Sequence, residues 1–202
     1  GFSIKVNGLQ LMSSRQHESE LALARLGCAH LPGRDAPHVL IGGLGMGYTL
    51  RQTLDLLDED AKVTVSELLP DVVAWNREYF KELNGQPLED KRTEIILGDI
   101  FPLLSNSADS FDAILLDIDN GPSATTDTGN SQLYTREGIE VCKRALRKQA
   151  RQHARGGQRQ HNAQHDARAG LHLSEVALKR AMVHEAVIHG KIRQSGVKCR
   201  GP

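Results

Sequence analysis

Apolar residues in this chain fall into short runs joined by stretches of helical spacing. The first runs, Ser3-Ile4-Lys5-Val6 and Leu9-Gln10-Leu11-Met12, alternate with period two and flank Asn7-Gly8. Both turn residues accept the positive φ of a type I′ turn, so the pattern predicts a small β-hairpin. A polar stretch, Ser13-Ser14-Arg15-Gln16-His17-Glu18-Ser19-Glu20, then leads into Leu21, Leu23 and Leu26. This reads as a capped helix stopping near Pro32-Gly33. From Val39 the chain alternates strand and helix at a steady pace. Val39-Leu40-Ile41, Val63-Thr64-Val65, Ile95-Ile96-Leu97 and Ala113-Ile114-Leu115-Leu116 are short apolar runs of the kind that parallel strands covered on both faces require. Leu50, Leu54 and Leu57 mark one intervening helix. Val72, Trp75, Tyr79, Phe80 and Leu83 mark another, closed by Asn84-Gly85 as a C-cap signal. The alternation predicts an α/β fold with a mostly parallel, right-handed sheet.

Such sheets bind ligands at the carboxyl ends of their strands, and those ends carry the chemistry of this sequence. After the first parallel strand stands Gly42-Gly43-Leu44-Gly45-Met46-Gly47-Tyr48. Gly43, Gly45 and Gly47 let the backbone turn sharply beside a ligand, and the next helix offers free N–H groups. Tyr48 stands where a dinucleotide fingerprint needs its last glycine, which argues against a nicotinamide cofactor. The second strand ends at Glu67, whose carboxylate suits the two hydroxyls of a ribose. The third ends at Gly98-Asp99-Ile100, an acid for an adenine amino group beside an apolar side chain for its face. The fourth ends at Asp117-Ile118-Asp119-Asn120-Gly121-Pro122, which puts two carboxylates at the lip of the same cleft.

These residues resemble the class I S-adenosylmethionine-dependent transferases, and within them the spermidine synthase-like group. Residues 39–51 are similar to the glycine loop and Thr-Leu-Arg of polyamine aminopropyltransferases. Val65-Ser66-Glu67-Leu68-Leu69-Pro70-Asp71-Val72-Val73 is similar to their Val-Glu-Ile-Asp-Pro-x-Val-Val segment. Gly98-Asp99-Ile100-Phe101 resembles their adenine contact, and Asp112 to Asp117 the strand that delivers a catalytic Asp. Leu133-Tyr134-Thr135 and Cys142-Lys143-Arg144-Ala145-Leu146 resemble two further stretches, so the likeness covers about residues 39–147. It implies a Rossmann-like sheet with a small N-terminal β-hairpin and an incomplete C-terminal edge. It also implies a nucleoside site of Gln16, Gly43, Gly45, Gly47, Glu67, Leu68, Asp99, Ile100 and Asp117, with Asp117 and Asp119 as catalytic candidates.

The co-substrate so implied is S-adenosylmethionine or its decarboxylated form, without a metal. The implied reaction is aminopropyl transfer to an amine. Methyl transfer to another small acceptor and a non-catalytic nucleotide-binding protein are the alternatives. Three departures bear on that choice. Met46 stands where the aminopropyltransferases carry the Asp that holds the aminopropyl ammonium, and the second strand-end carboxylate, Asp119, has moved by one residue. The acidic, tyrosine-containing diamine segment is replaced by residues 13–21, with Glu18 and Glu20 as its available acids.

Composition divides the chain at one place. A length of 202 residues suits one domain of roughly 100–200 residues. The formal net charge of zero conceals two unlike parts: residues 1–147 hold 14 basic and 22 acidic side chains, net −8, and residues 148–202 hold 11 and 3, net +8. All eight aromatics precede Lys148, and six of nine histidines follow it. The reading is therefore residues 1–34 as hairpin and helix, 35–147 as the nucleoside-binding domain, and 148–202 as a basic tail, partly disordered or helical, with a weak amphipathic helix over about 174–189.

Three readings of the tail compete. It is a basic arm for nucleic acid, but without aromatics for stacking. It holds a metal through His161 and His165, but no acidic or Cys ligand accompanies them. Or the coding frame shifts near Arg147 and the C-terminal strands of the family are missing, the favoured reading. Cys28, Cys142 and Cys199 are too few and scattered for a disulfide framework. No run reaches the roughly 18 apolar residues of a membrane span, and no signal-peptide pattern opens the chain. A cytoplasmic protein is expected, read as a fragment because it begins at Gly. Its expected partners are a small-molecule amine or other small acceptor and, as an open option, a second copy in a homodimer, with neither membrane nor nucleic acid.

Overall fold

The apolar runs form strands because each has one face toward helices on either side of a sheet. In the computed structural model, which describes residues 1–6, 9–118, 129–148, 176–178 and 197–200, a hairpin of β1 (Ser3–Val6) and β2 (Leu9–Ser13) precedes helix α1 (Glu18–Gly27). Then follow β3 (His38–Gly42), α2 (Tyr48–Leu56), β4 (Lys62–Glu67), α3 (Pro70–Glu78), α4 (Lys81–Asn84), β5 (Thr93–Leu97), α5 (Ile100–Ser105), β6 (Ala113–Leu116) and α6 (Arg136–Ala145). Two short strands, β7 (Val176–Leu178) and β8 (Val197–Arg200), come from the basic tail. The main sheet has the order β5-β4-β3-β6-β7, and all its pairs are parallel. The chain runs outward from β3 to β4 and β5, then crosses back to β6 on the other side. That reversal opens a crevice at the carboxyl ends of β3 and β6.

Alternate residues of the strands feed two cores. Val39, Ile41, Val63, Val65 and Leu115 face Leu23 and Ala24 of α1, Leu50 and Leu54 of α2, and Val72 and Val73 of α3. Leu40, Ile114 and Leu116 face Ile100 and Leu104 of α5 and Val141, Cys142 and Ala145 of α6. Burial of this kind is worth about 1.5–3 kcal/mol for each large side chain. A third cluster joins Ile4 of the hairpin to Met46, Tyr48 and Phe80, with Phe2 edge-on to Phe80 at 5.4 Å. The hairpin is thereby seated beside the glycine loop. Its strands pair as expected, with a register shift between Ile4 and Lys5, while its Asn7-Gly8 turn lies outside the described residues.

Three local expectations differ from the structure. The first helix stops at Gly27, well before Pro32, and its N-cap is His17, which makes no side-chain capping bond. The helix expected to run through Leu83 breaks after Glu78 and resumes at Lys81. The break lets Phe80, fully buried, enter the hairpin cluster, and it redirects Asn84 toward the glycine loop. In the tail, Val176–Leu178 are extended where a helix was expected. They pair with Ile114–Leu116, whose ladder groups would otherwise be unmatched on that side. Val197–Arg200 pair antiparallel with β1. Their alternating Val-Lys-Cys-Arg pattern has the strand period.

The amino end of the sheet is fixed by one acid. Asp112, 3% exposed, accepts a bond from the His38 backbone N–H at 2.9 Å and an ion pair from Arg147 at 2.7 Å. Arg147 also donates its backbone N–H to the carbonyl of Phe111, and Leu146 bridges to Phe111 in parallel. The segment after α6 is thus fastened beside the start of β6.

Candidate active site

The strand ends stand in a row held by backbone bonds. Gly98 N–H donates to the Glu67 carbonyl at 2.9 Å, Gly43 N–H to the Ser66 carbonyl at 2.8 Å, and Asp117 N–H to the Gly42 carbonyl at 2.8 Å. Glu67 and Asp117 therefore flank the glycine loop from the two strands on either side of β3. Gly43 is required by its φ of +88° and because a Cβ there would run into the carbonyl of Asp117. Gly47, at φ +80°, starts α2 in the left-handed conformation, with side-chain amides packed against it.

Glu67 is 7% exposed. One carboxylate oxygen accepts the Leu44 N–H at 2.8 Å and the other the Leu69 N–H at 2.9 Å. The acid thereby holds the glycine loop to the turn that opens α3. A carboxylate has about four lone-pair sites, so acceptor capacity is left for two sugar hydroxyls. Leu68, beside it, is 65% exposed, and Leu97, at the end of the next strand, 56%. These two offer an apolar surface at the strand ends. Ile100, expected there, is instead buried beneath Gly42, against Leu104 and Leu116. Asp99 is exposed and caps α5, accepting the Phe101 N–H at 2.9 Å.

Asp117 accepts the Thr49 hydroxyl at 2.6 Å. Thr49 is buried in the first turn of α2, so the helix after the loop and the strand end beyond it are tied together. Tyr134, half-buried in the turn before α6, has its phenol pushed above the ordinary range by burial and then by the charge of Asp117. Gln16 closes a turn through its backbone N–H to Ser13 and leaves its side chain exposed. His17 next to it stacks on Tyr48 at 4.1 Å, and both reach the Ser14 carbonyl. Glu18 is exposed, and Glu20 is buried, accepting the Ser19 hydroxyl at 2.6 Å. Asp119, His161 and His165 lie outside the described residues. Among the described residues, no group of three or more His, Cys, Asp or Glu is placed to hold a metal, and no helix is long and apolar enough to cross a membrane.

Sequence reading missed Asn76, Asn84 and Thr49. Asn76 donates to the Gly45 carbonyl and Asn84 to the Met46 carbonyl, so both pin the loop from α3 and α4. An Asn inside a helical pattern is ordinarily a solvated residue, and only the fold shows these two to be buried.

A parallel sheet with its glycine turn, its acid on the neighbouring strand and a second acid across the crevice defines the class: an α/β fold of the Rossmann-like kind, with its crevice at the strand ends. The profile of the spermine/spermidine synthase domain matches residues 25–183, and the chain belongs to that family. The match runs past Arg147, beyond the residues 39–147 over which the sequence likeness was expected. A polyamine aminopropyltransferase of Saccharolobus islandicus is 32% identical over 109 residues, which are 54% of this chain and 35% of that protein. One from Nitrosomonas europaea is 32% identical over 123 residues, 58% of this chain and 35% of that protein. These alignments span about a third of the length of the curated relatives. Among solved structures, a spermidine synthase in complex with the transition-state analogue AdoDATO superposes with a TM-score of 0.56 at 24% identity, over 71% of this chain and 44% of that one. The spermidine synthase of Thermotoga maritima gives 0.54 at 24% identity, over 71% and 46%. Both likenesses are of fold.

Proposed function

We propose that this chain binds an adenosyl sulfonium and transfers an aminopropyl group from decarboxylated S-adenosylmethionine to an amine acceptor. The observation that carries the reading is the placement of Glu67 and Asp117 on either side of a glycine loop whose geometry admits no side chain at Gly43. Family membership supports the same chemistry. Glu67 accepts the ribose hydroxyls, and Leu68 with Leu97 flanks the base. Asp117, oriented by Thr49, attracts the acceptor ammonium and takes up its proton. The amine nitrogen then forms a bond to the carbon next to sulfur. The carbon–sulfur bond breaks, and its electron pair neutralises the sulfonium as methylthioadenosine leaves. The remaining task of the site is alignment of nitrogen and carbon.

One observation favours a second reading. Met46, fully buried in the hairpin cluster, occupies the place where aminopropyltransferases carry an acid for the aminopropyl ammonium. Intact S-adenosylmethionine needs no such acid, and methyl transfer to a small acceptor follows from it. Calorimetry with S-adenosylmethionine, its decarboxylated form and methylthioadenosine separates the two. Selective binding of the decarboxylated form supports aminopropyl transfer, and selective binding of S-adenosylmethionine supports methyl transfer. Binding of none by the folded protein overturns both.

A further inference from the structure

Asn76 and Asn84 form a buried amide pair that reaches out to the glycine loop. Asn76, 3% exposed, donates to the Gly45 carbonyl at 2.8 Å and to Val72 of its own helix at 2.9 Å, and its Oδ1 accepts from Asn84 at 2.9 Å. Asn84, 4% exposed, donates also to the Met46 carbonyl at 2.9 Å, while its Oδ1 accepts the Gln86 N–H at 3.2 Å. Each amide thus has partners for its nitrogen and its oxygen. Turning either amide over would set an oxygen against the loop carbonyl and a nitrogen against an N–H or another amide nitrogen, so the orientation is determined. The same pair explains Gly47: a Cβ there would lie 2.6 Å from Asn84 Nδ2 and 2.8 Å from Asn76 Oδ1.

We infer that Asn76 and Asn84 are positioning residues for the nucleoside end of the site, setting the direction of two peptide groups in the glycine loop. In a trans peptide the carbonyl and the following N–H point opposite ways. Holding the Gly45 and Met46 carbonyls toward α3 and α4 therefore turns the Met46 and Gly47 N–H groups away from them, and the Gly47 N–H closes on the Leu44 carbonyl at 2.8 Å. The loop cannot reverse either peptide without taking the acceptor from one N–H of a buried side-chain amide. Glu67 holds the same loop from its other end, through Leu44. The pair acts on a ligand only through the backbone it orients.

This inference rests on the proposed function for its ligand but not for its geometry, and the test reads both. Asn84→Ala, Asn84→Leu and Asn76→Leu are compared with the unaltered chain under conditions where circular dichroism shows all of them folded. In the ligand-free protein, hydrogen exchange over residues 43–48 is expected to rise about tenfold or more, the equivalent of one lost buried hydrogen bond. Methylthioadenosine binding is expected to weaken by a similar factor. The double variant should be no worse than the poorer single one, because the amides work as a unit. Arg147→Ala, at the opposite end of the sheet, should leave loop exchange and binding unchanged in the folded protein. Unchanged loop exchange in the Asn variants overturns the inference, whatever the ligand. Raised exchange with unchanged methylthioadenosine affinity overturns the positioning role. If the unaltered protein binds no adenosyl compound, the proposed function fails, while the exchange result still decides whether the pair holds the loop. Should the Leu variants not fold, Asn84→Ala carries the comparison.

Discussion

Glu67→Gln is the substitution whose cost follows most directly from the geometry. The carboxylate is 7% exposed and accepts one backbone N–H on each oxygen, from Leu44 at 2.8 Å and Leu69 at 2.9 Å. A glutamine keeps one acceptor oxygen and sets an NH2 group against the other N–H. One bond to a charged acceptor, worth about 1.5–3 kcal/mol, is lost, and the surviving bond falls to the neutral range near 1 kcal/mol. The expected loss of stability is about 3 kcal/mol. For a chain of this size that shifts the melting temperature by roughly 6–12 °C. Urea denaturation followed by circular dichroism measures the first figure and a thermal scan the second. Methylthioadenosine calorimetry on the folded variant should show at least about a hundredfold weaker binding, since two charge-assisted sugar contacts go as well. A denaturation free energy within about 0.5 kcal/mol of the unaltered protein would refute the claim that this acid ties the loop to α3. Unchanged affinity for methylthioadenosine would refute its assignment to the sugar.

Arg147→Ala leaves the buried Asp112 carboxylate with the His38 N–H and the more distant Arg34, and because Arg147 is 41% exposed the expected cost is about 2–3 kcal/mol by denaturation. Combining it with Asp112→Asn should cost less than the sum of the two single changes; strict additivity would show that the pair is not coupled. His38 is held down to about 4, first by burial and then by Lys62 and Arg147, so the unfolded chain binds more protons than the folded one between about pH 6.5 and pH 4. Stability contributed by neutral His38 is present above that window and is lost as pH falls through it. After solvent screening of this half-buried ring the loss is about 1–2 kcal/mol, and a His38→Gln variant should show a flatter denaturation profile over the same range. Thr49→Val removes the hydroxyl held by Asp117 without changing volume much, and should lower transfer about tenfold, with Thr49→Ser restoring most of it; equal rates in all three would separate Thr49 from the reaction.

The strands were legible because a parallel strand covered on both faces has nowhere to put a polar side chain. Ala113–Leu116 reads the same in sequence and in structure for that reason. The glycine loop and the acids at 67 and 117 were legible because few other residues serve at a strand end facing a turn. The burial of Ile100 was not legible because sequence shows that an apolar residue follows Asp99, not that it turns inward beneath Gly42 while Leu68 stays exposed. The Asn84-Gly85 pair was read as a helix stop, and Gly85 does stop α4 in the left-handed conformation. The second use of Asn84, on Met46, depends on a helix break that propensity does not announce. The tail strands escaped notice because three or four residues acquire strand character only from a partner, here β6 and β1.

The row of backbone bonds across the strand ends also acts as a ruler. Glu67 and Asp117 belong to strands separated by one other, and neighbouring strands lie about 4.8 Å apart, so the two acids are set roughly 10 Å from each other by the sheet itself. Substituting either side chain changes what is gripped at one end and leaves the spacing alone. Under the proposed function, discrimination between co-substrates by length is therefore built into the backbone, and discrimination by charge is left to side chains such as the one at position 46. The second property is open to single substitutions, whereas the first would change only if the sheet were repacked.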